Sequence, residues 1–348
     1  MRGGRVAFIV RRRNPPLDAR AAPAAKSPFV SVNSLHVTNG DSVIYTWKKA
    51  GLLGTHLAWK DVLHEGPVPA GMALEDLSRV RADYLASRGY GNAIRLHREF
   101  EKRDALIRRA GEFEEVVLWF EHDLYDQLHL LQIVSVLRQQ GMTAGSVQLV
   151  QSDQYLGMLN ADELLALLPR RRFITSAIAD AAARAWSAFT DSDPRALAHA
   201  ANQTYTGLPF MRDALRRLCE EYPDSASGLS RTQKQLLESC AQGARRREEI
   251  FKKAQSREEA TFLGDVSAYG AIDDLCSEPA PLLVYRDPEY DVTVLGRRVL
   301  AGDTDWLEHQ PLDRWVGGVH LHGTGAWRWN DSQQMLVERV PDGEAAQP

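Results

Sequence analysis

A chain of 348 residues that is 44% hydrophobic, with a net charge of −4, suits about two globular domains with substantial cores. It has no run of about 18 apolar residues, which argues against a membrane-spanning helix and a membrane partner. Cys219, Cys240 and Cys276 are scattered without a CxxC pair, so neither a disulfide framework nor a zinc ribbon is expected, and a reducing cytoplasm is the expected location.

Residues 1–33 set Arg2, Arg5, Arg11, Arg12, Arg13 and Arg20 among Pro and Ala, with Asp18 the sole acid. Such a stretch cannot bury a core and reads as a disordered extension, with a targeting or nucleic-acid-binding arm as the alternative. A short strand at 35–38 then breaks at Asn39-Gly40 and enters a helix reaching about residue 53. A brief second strand (56–59) precedes two charged amphipathic helices, 75–87 and 92–110. In the first, Leu74, Leu77, Val80, Arg81, Tyr84 and Leu85 keep near-3.6 spacing. Val116–Phe120 is apolar without alternation, as a buried central strand should be. Residues 125–140 read as a helix, with Leu128, Leu131, Val134 and Leu137 at every third position and Gly141 as its stop. A strand at 146–150 follows. This order predicts a three-layer, mostly parallel α/β domain over 34–160, with right-handed crossovers.

Residues 161–224 read as a helical extension, with helices at 162–168, 176–189, 194–202 and 208–221. The polar break Pro223–Gly228 marks the expected boundary. Three helices (Ser230–Gln242, Arg245–Gln255, Phe262–Ser277) and a hairpin (281–285 with 290–294, turning at Arg286–Glu289) outline a winged-helix-like module over 229–331. Residues 340–348 read as a disordered tail. Trp306, Trp315, Trp327 and Trp329 are expected to be packing residues, and His320 and His322 to share one face of a strand.

Polar clusters follow three of the predicted strands. Thr38, Asn39, Gly40, Asp41 and Ser42 form the first: Gly40 permits a bend, and Asp41 or Ser42 can cap the helix. The functional alternative places a ligand on the free N–H groups of that helix end, where a phosphate is favoured. Asp41 would repel an anion unless a cation or a substrate hydroxyl lay between. Asp61, His64 and Glu65 lie in a loop closed by Gly66-Pro67; here the choice is between chemistry and a loop pinned to its own backbone. Glu121, His122, Asp123, Asp126 and Gln127 make the densest cluster, which would be expensive to bury unless paired or liganded. Asp123 is a natural cap for the helix from Leu124, and Asp126 and Gln127 suit its first turn; capping leaves Glu121 and His122 unexplained. His122 could act as a general base oriented by a carboxylate. A divalent cation is the other option, although neither HxH nor HExxH spacing supports one in this cluster.

Three segments, Leu-His-Val-Thr-Asn-Gly-Asp-Ser (35–42), Trp-Lys-Asp-Val-Leu-His-Glu-Gly-Pro (59–67) and Leu-Trp-Phe-Glu-His-Asp-Leu-Tyr-Asp-Gln (118–127), resemble a bacterial family catalogued as domain of unknown function 1835. The resemblance covers roughly residues 34–155 and continues into the C-terminal part. It implies no reaction, cofactor or catalytic residue. Gly40-Asp41-Ser42 is also similar to the nucleophile box of SGNH-type esterases, but no Asp-x-x-His box follows near the end of the domain.

The expected function is an enzyme, a hydrolase or group transferase, acting on a polar small molecule such as a nucleotide or other phosphorylated compound. His122, His64, Asp123, Asp61 and Glu121 are the catalytic candidates. Thr38, Asn39, Gly40, Asp41, Ser42, Glu65, Asp126 and Gln127 are the substrate-binding candidates. A ligand-sensing regulator with a nucleic-acid-binding winged helix is the alternative, and a non-catalytic scaffold the third reading. Arg245–Arg247, Lys252, Lys253 and Arg257 offer a basic flank. However, helix 262–277 carries Asp265, Asp273 and Asp274, which favours packing or homodimerisation over nucleic acid.

Overall fold

The computed structural model describes residues 31–142, 145–324 and 327–338. The expected N-terminal extension lies outside them up to residue 30, as does the tail 340–348. The first half runs β1 (Ser34–Thr38), α1 (Asp41–Lys49), β2 (Thr55–Ala58), α2 (Leu74–Ser87), α3 (Ala93–Arg108), β3 (Glu115–Phe120), α4 (Leu124–Gln139), β4 (Val147–Gln151), α5 (Ala161–Leu165) and β5 (Arg172–Phe173). The protein is a mixed α/β fold. Its five-stranded sheet has the order β2-β1-β3-β4-β5, parallel except for the last pair.

Both faces of β3 are buried, which is why its sequence does not alternate. Val117 and Trp119 pack with Val43 and Trp47 of α1, Val150 of β4 and Leu164 of α5. Val116, Leu118 and Phe120 face the other way, into a core shared with Leu128, Leu131 and Val134 of α4. β1 also buries a polar side chain. His36 accepts from Trp119 Nε1 (3.1 Å) and meets Ser34 Oγ (3.1 Å), and burial holds its imidazole down at about 3, so it stays neutral.

The second half continues through α6 (Ser176–Thr190), α7 (Pro194–Ala201), α8 (Met211–Cys219), α9 (Arg231–Ala241), α10 (Arg247–Gln255), α11 (Asp265–Leu275), β6 (Leu283–Arg286), β7 (Glu289–Val292), α12 (Val294–Ala301), β8 (Leu312–Val316), β9 (Val319–Gly323), β10 (Trp327–Asn330) and β11 (Met335–Glu338). The short β5, the helix α12 and the strands β8, β10 and β11 went unpredicted, while β9 contains the strand expected at His320–His322. Each unpredicted element is too brief for its periodicity to stand out from turn composition.

One apolar core joins the halves. It includes Leu118 of β3, Leu215 of α8, Leu236 of α9, Ile272 of α11 and Leu321 of β9. The Pro223–Gly228 break is an ordered turn: Asp224 accepts from the N–H groups of Ala226 (2.8 Å) and Ser227 (2.7 Å), and Trp329 donates its backbone N–H to Pro223 (2.8 Å). His320 and His322 do share the solvent face of β9, with His320 on Asp313 (2.7 Å).

The β8–β9 turn ties the sheets together. Gly317 has φ +59°, the glycine-favoured region at the first central position of a two-residue hairpin loop. Its carbonyl accepts from Val68 (2.8 Å), and Gly318 donates to Phe189 at the end of α6 (3.0 Å). A Cβ on Gly318 would lie 1.9 Å from the Thr190 carbonyl oxygen. Gly318→Ala should therefore cost about 3 kcal/mol or more, read as a drop of several degrees in Tm; an unchanged Tm would show that the hairpin docks loosely.

Candidate functional site

In an open parallel sheet, ligands collect beyond the carboxyl ends of the strands, where the strand order reverses. Here β1 lies between β2 and β3, so the reversal falls at the segments following Thr38 and Phe120. α1 begins at this rim. Its N-cap is Gly40, in extended backbone (φ −161°), and no side chain caps the helix. Asp41 and Ser42, the expected caps, are instead its first two residues, both exposed. The first-turn N–H groups thus have no side-chain acceptor from the cap. A Cβ at Gly40 would meet nothing within 4 Å, so backbone and ligand could approach closely. The charge of Asp41 is balanced by Lys60, at 2.5 Å. That cation removes the objection that Asp41 would repel an anion.

Beside this helix end sit three buried carboxyl groups, Glu121, Asp123 and Asp126, each offering an oxygen within 4.8 Å of the others. The local fold holds all three. Asp123 caps α4 as expected, accepting from Asp126 N (3.1 Å). Asp126 accepts from Glu121 N (2.7 Å) and from the side-chain amide of Asn39. Glu121 accepts from Leu156 N (2.7 Å) in the loop after β4. Burial pushes Glu121 up to about 7, helped by the charge of Asp123, and pushes Asp123 up to about 6. Burial and its two neighbours drive Asp126 well above the ordinary carboxylate range. Three anions this close repel each other, so near neutral pH the cluster holds protons or a cation. An all-oxygen donor set suits Mg²⁺, Mn²⁺ or Ca²⁺.

Asn39, Glu121, Asp123 and Asp126 therefore converge. Thr38 is buried just before them, its hydroxyl without a protein partner among the described residues. Gln127 serves the backbone, donating to Glu121 O (2.6 Å). Among the described residues no hydrogen bond joins His122 to Asp123, and the carboxylate whose charge acts on it is Asp153. The His122 ring lies against Tyr155 (5.1 Å between centroids) and Phe210 (5.9 Å), and burial lowers its pKa.

The middle cluster departs from expectation. Asp61 is a structural anchor: its Oδ1 accepts from Arg81 Nε (2.9 Å), Arg81 Nη2 (2.8 Å) and Val62 N (2.7 Å). Burial alone would raise its pKa, but the guanidinium outweighs this and holds the carboxylate ionised. His64 and Glu65 turn into a different cavity, whose lining includes none of the three rim carboxylates.

Lys60 and Leu156 were missed. Lys60 lies inside the second sequence box, and the loop after β4 is a strand end like the other three; applying the strand-end rule to it would have found Ser152–Leu156.

Asp61→Asn should lower stability by about 3–5 kcal/mol, since it leaves Arg81 buried and uncompensated, while the rim keeps its ligand affinity. Lost affinity in a folded D61N protein would restore Asp61 to the site. The raised rim carboxyls predict a pH signature. Their folded values exceed the unfolded 4.5 and 3.8, so their stabilising contribution is full below those values and is lost as pH rises through about 6 to 7. In EDTA, Tm should fall between pH 5.5 and 8 by about 3–5 °C more in wild type than in Glu121→Gln. Equal falls would mean that the cluster ionises without strain.

No family model matches the chain, and no curated protein matches it.

Proposed function

We propose that the protein is an enzyme, a hydrolase or group transferase, acting at the carboxyl edge of the sheet on a polar, phosphorylated small molecule of the nucleotide type, with a divalent cation as cofactor. The observation that carries this reading is the cluster of Glu121, Asp123 and Asp126 beside a helix N-terminus that no side chain caps. The two halves are complementary. First-turn N–H groups and the positive end of the helix dipole suit a phosphoryl group. Carboxylate oxygens suit the cation that accompanies it. When bound, that cation supplies charge neutralisation for the phosphoryl oxygens. Glu121, whose carboxyl is held up by burial and by Asp123 when no cation is bound, would give up its proton on binding the cation and help to hold it. Asn39 and the Asp41–Lys60 pair orient the approach.

The same reading takes the chain as a cytoplasmic protein and as a member of the family catalogued as domain of unknown function 1835, on the three boxes quoted above. We read α9, α10, α11 and the β6–β7 hairpin as a winged-helix-like module that serves packing or self-association. Three of the six basic residues of its flank are spent internally: Arg245 on Asp291, Arg247 on Asp273 and Arg257 on Glu238. That weighs against nucleic acid.

The test is a screen of nucleotides and phosphate monoesters with Mg²⁺ or Mn²⁺, reading phosphate release or transfer, alongside calorimetry with Mn²⁺. Asp123→Asn keeps an equally good cap, so it should fold with a near-native Tm and lose Mn²⁺ affinity. Glu121→Gln should lower kcat about 10²-fold or more. Mn²⁺ binding should release protons and tighten from pH 6 to 8. Unchanged Mn²⁺ binding in both variants, or turnover insensitive to EDTA and to Glu121→Gln, would sink the proposal.

A further inference from the structure

A second cavity, of about 410 Å³, lies away from the rim carboxylates and within the size range of small-molecule pockets. Distant parts of the chain wall it: the loop carrying His64 and Glu65, α2 with Arg88, the end of α8 with Glu221, α11 with Asp274, and β8 with Arg314. We propose that it is a binding site for a small organic acid, whose carboxylate pairs with Arg314 and whose hydroxyl or carbonyl oxygen meets His64.

Unmatched polar atoms on the buried His64 and the half-buried Arg314 point to a ligand. His64 is 6% exposed, and neither ring nitrogen has a hydrogen-bond partner among the described residues. Its ring is wedged edge-on against Phe262, 5.0 Å between centroids. Burial lowers its pKa to about 3, so it offers one N–H donor and one acceptor nitrogen, and such groups are rarely left unmatched. Arg314 donates one Nη2 bond to the Glu221 carbonyl, while its enclosed Nε has no partner.

Glu221 and Asp274 act on the Arg314 charge from a distance, but neither pairs with it directly. Glu221 is paired with Arg217 (2.7 Å) and Asp274 with Arg88 (3.2 Å). Glu65 accepts from Tyr90 (2.6 Å), and burial raises its pKa. Asp313 pairs outward with His320 (2.7 Å). Among the described residues, no carboxylate lies within ion-pairing distance of Arg314. A guanidinium keeps its proton, and an enclosed donor with no acceptor is costly. Its Nε and Nη groups form the planar fork that matches a carboxylate. Ser267 and Gln310 add neutral polar lining, which suits the rest of a hydroxy- or keto-acid.

The experiment titrates the full chain with C3–C7 hydroxy- and keto-acids, each against its amide, reading Tm and the emission of Trp306 and Trp315, which line the cavity. At least one acid should raise Tm by about 2 °C at roughly ten times its Kd and shift the emission, while its amide does neither. Arg314→Met should weaken binding about 10- to 100-fold, and His64→Leu should weaken it less. Glu121→Gln should respond as wild type does, which separates this site from the proposed rim enzyme. No response to any acid, equal response to acid and amide, or a response undiminished in Arg314→Met overturns the proposal. So does a response to inorganic phosphate alone. If Arg314→Met does not fold, the wild-type acid–amide comparison and His64→Leu decide.

Discussion

The buried ion pair between Asp61 and Arg81 organises the ground on which both proposed sites stand. Arg81 also donates to the carbonyls of Val62 (2.7 Å) and Glu65 (2.7 Å), and Asp61 O meets His129 of α4 (2.9 Å). One guanidinium thus fixes the loop after β2, and through Asp61 that loop is fastened to the helix bearing Asp126. The loop's far end, Val68, is bonded to the β8–β9 turn. Leu63 and Val68 of this loop pack into the core, but its buried carbonyls still need donors. The planar, always-charged fork of arginine gives it several fixed donors at once.

This anchoring separates two environments that the sequence lists side by side. Toward the strand ends, the rim gathers like charges and an uncapped helix terminus, a costly arrangement that folding tolerates because main-chain N–H groups hold each carboxyl in place. On the other side, His64 and Glu65 enter a cavity completed by Arg314. The two share a wall: Thr261 donates to Tyr155 (2.7 Å), which packs on His122, and the adjoining Phe262 packs on His64. The segment between α10 and α11 therefore touches both sites.

The β1–α1 and β3–α4 units were legible because apolar runs, the Asn39-Gly40 break and the Asp123 cap are local signals, set by backbone geometry within a few residues. The same locality explains why Asn39, Glu121, Asp123 and Asp126 could be nominated together: a parallel sheet brings its carboxyl ends to one edge, so position after a strand is already a three-dimensional statement. Asp61 was misjudged because its partner is 20 residues away on α2, and Arg81 looked like part of an amphipathic pattern. His64 has no local mark to say which side of the loop it would occupy.

By itself, then, the sequence determined the α/β class, the strand–helix succession and the polar rim, all of which follow from short-range periodicity and capping. Tertiary structure alone decided that Arg81 neutralises Asp61, that Lys60 balances Asp41, that three buried carboxyls converge, and that Arg314 faces His64's cavity. Each of these depends on which distant side chains meet when the helices pack, and the strength of a charge interaction depends on the burial that this packing creates.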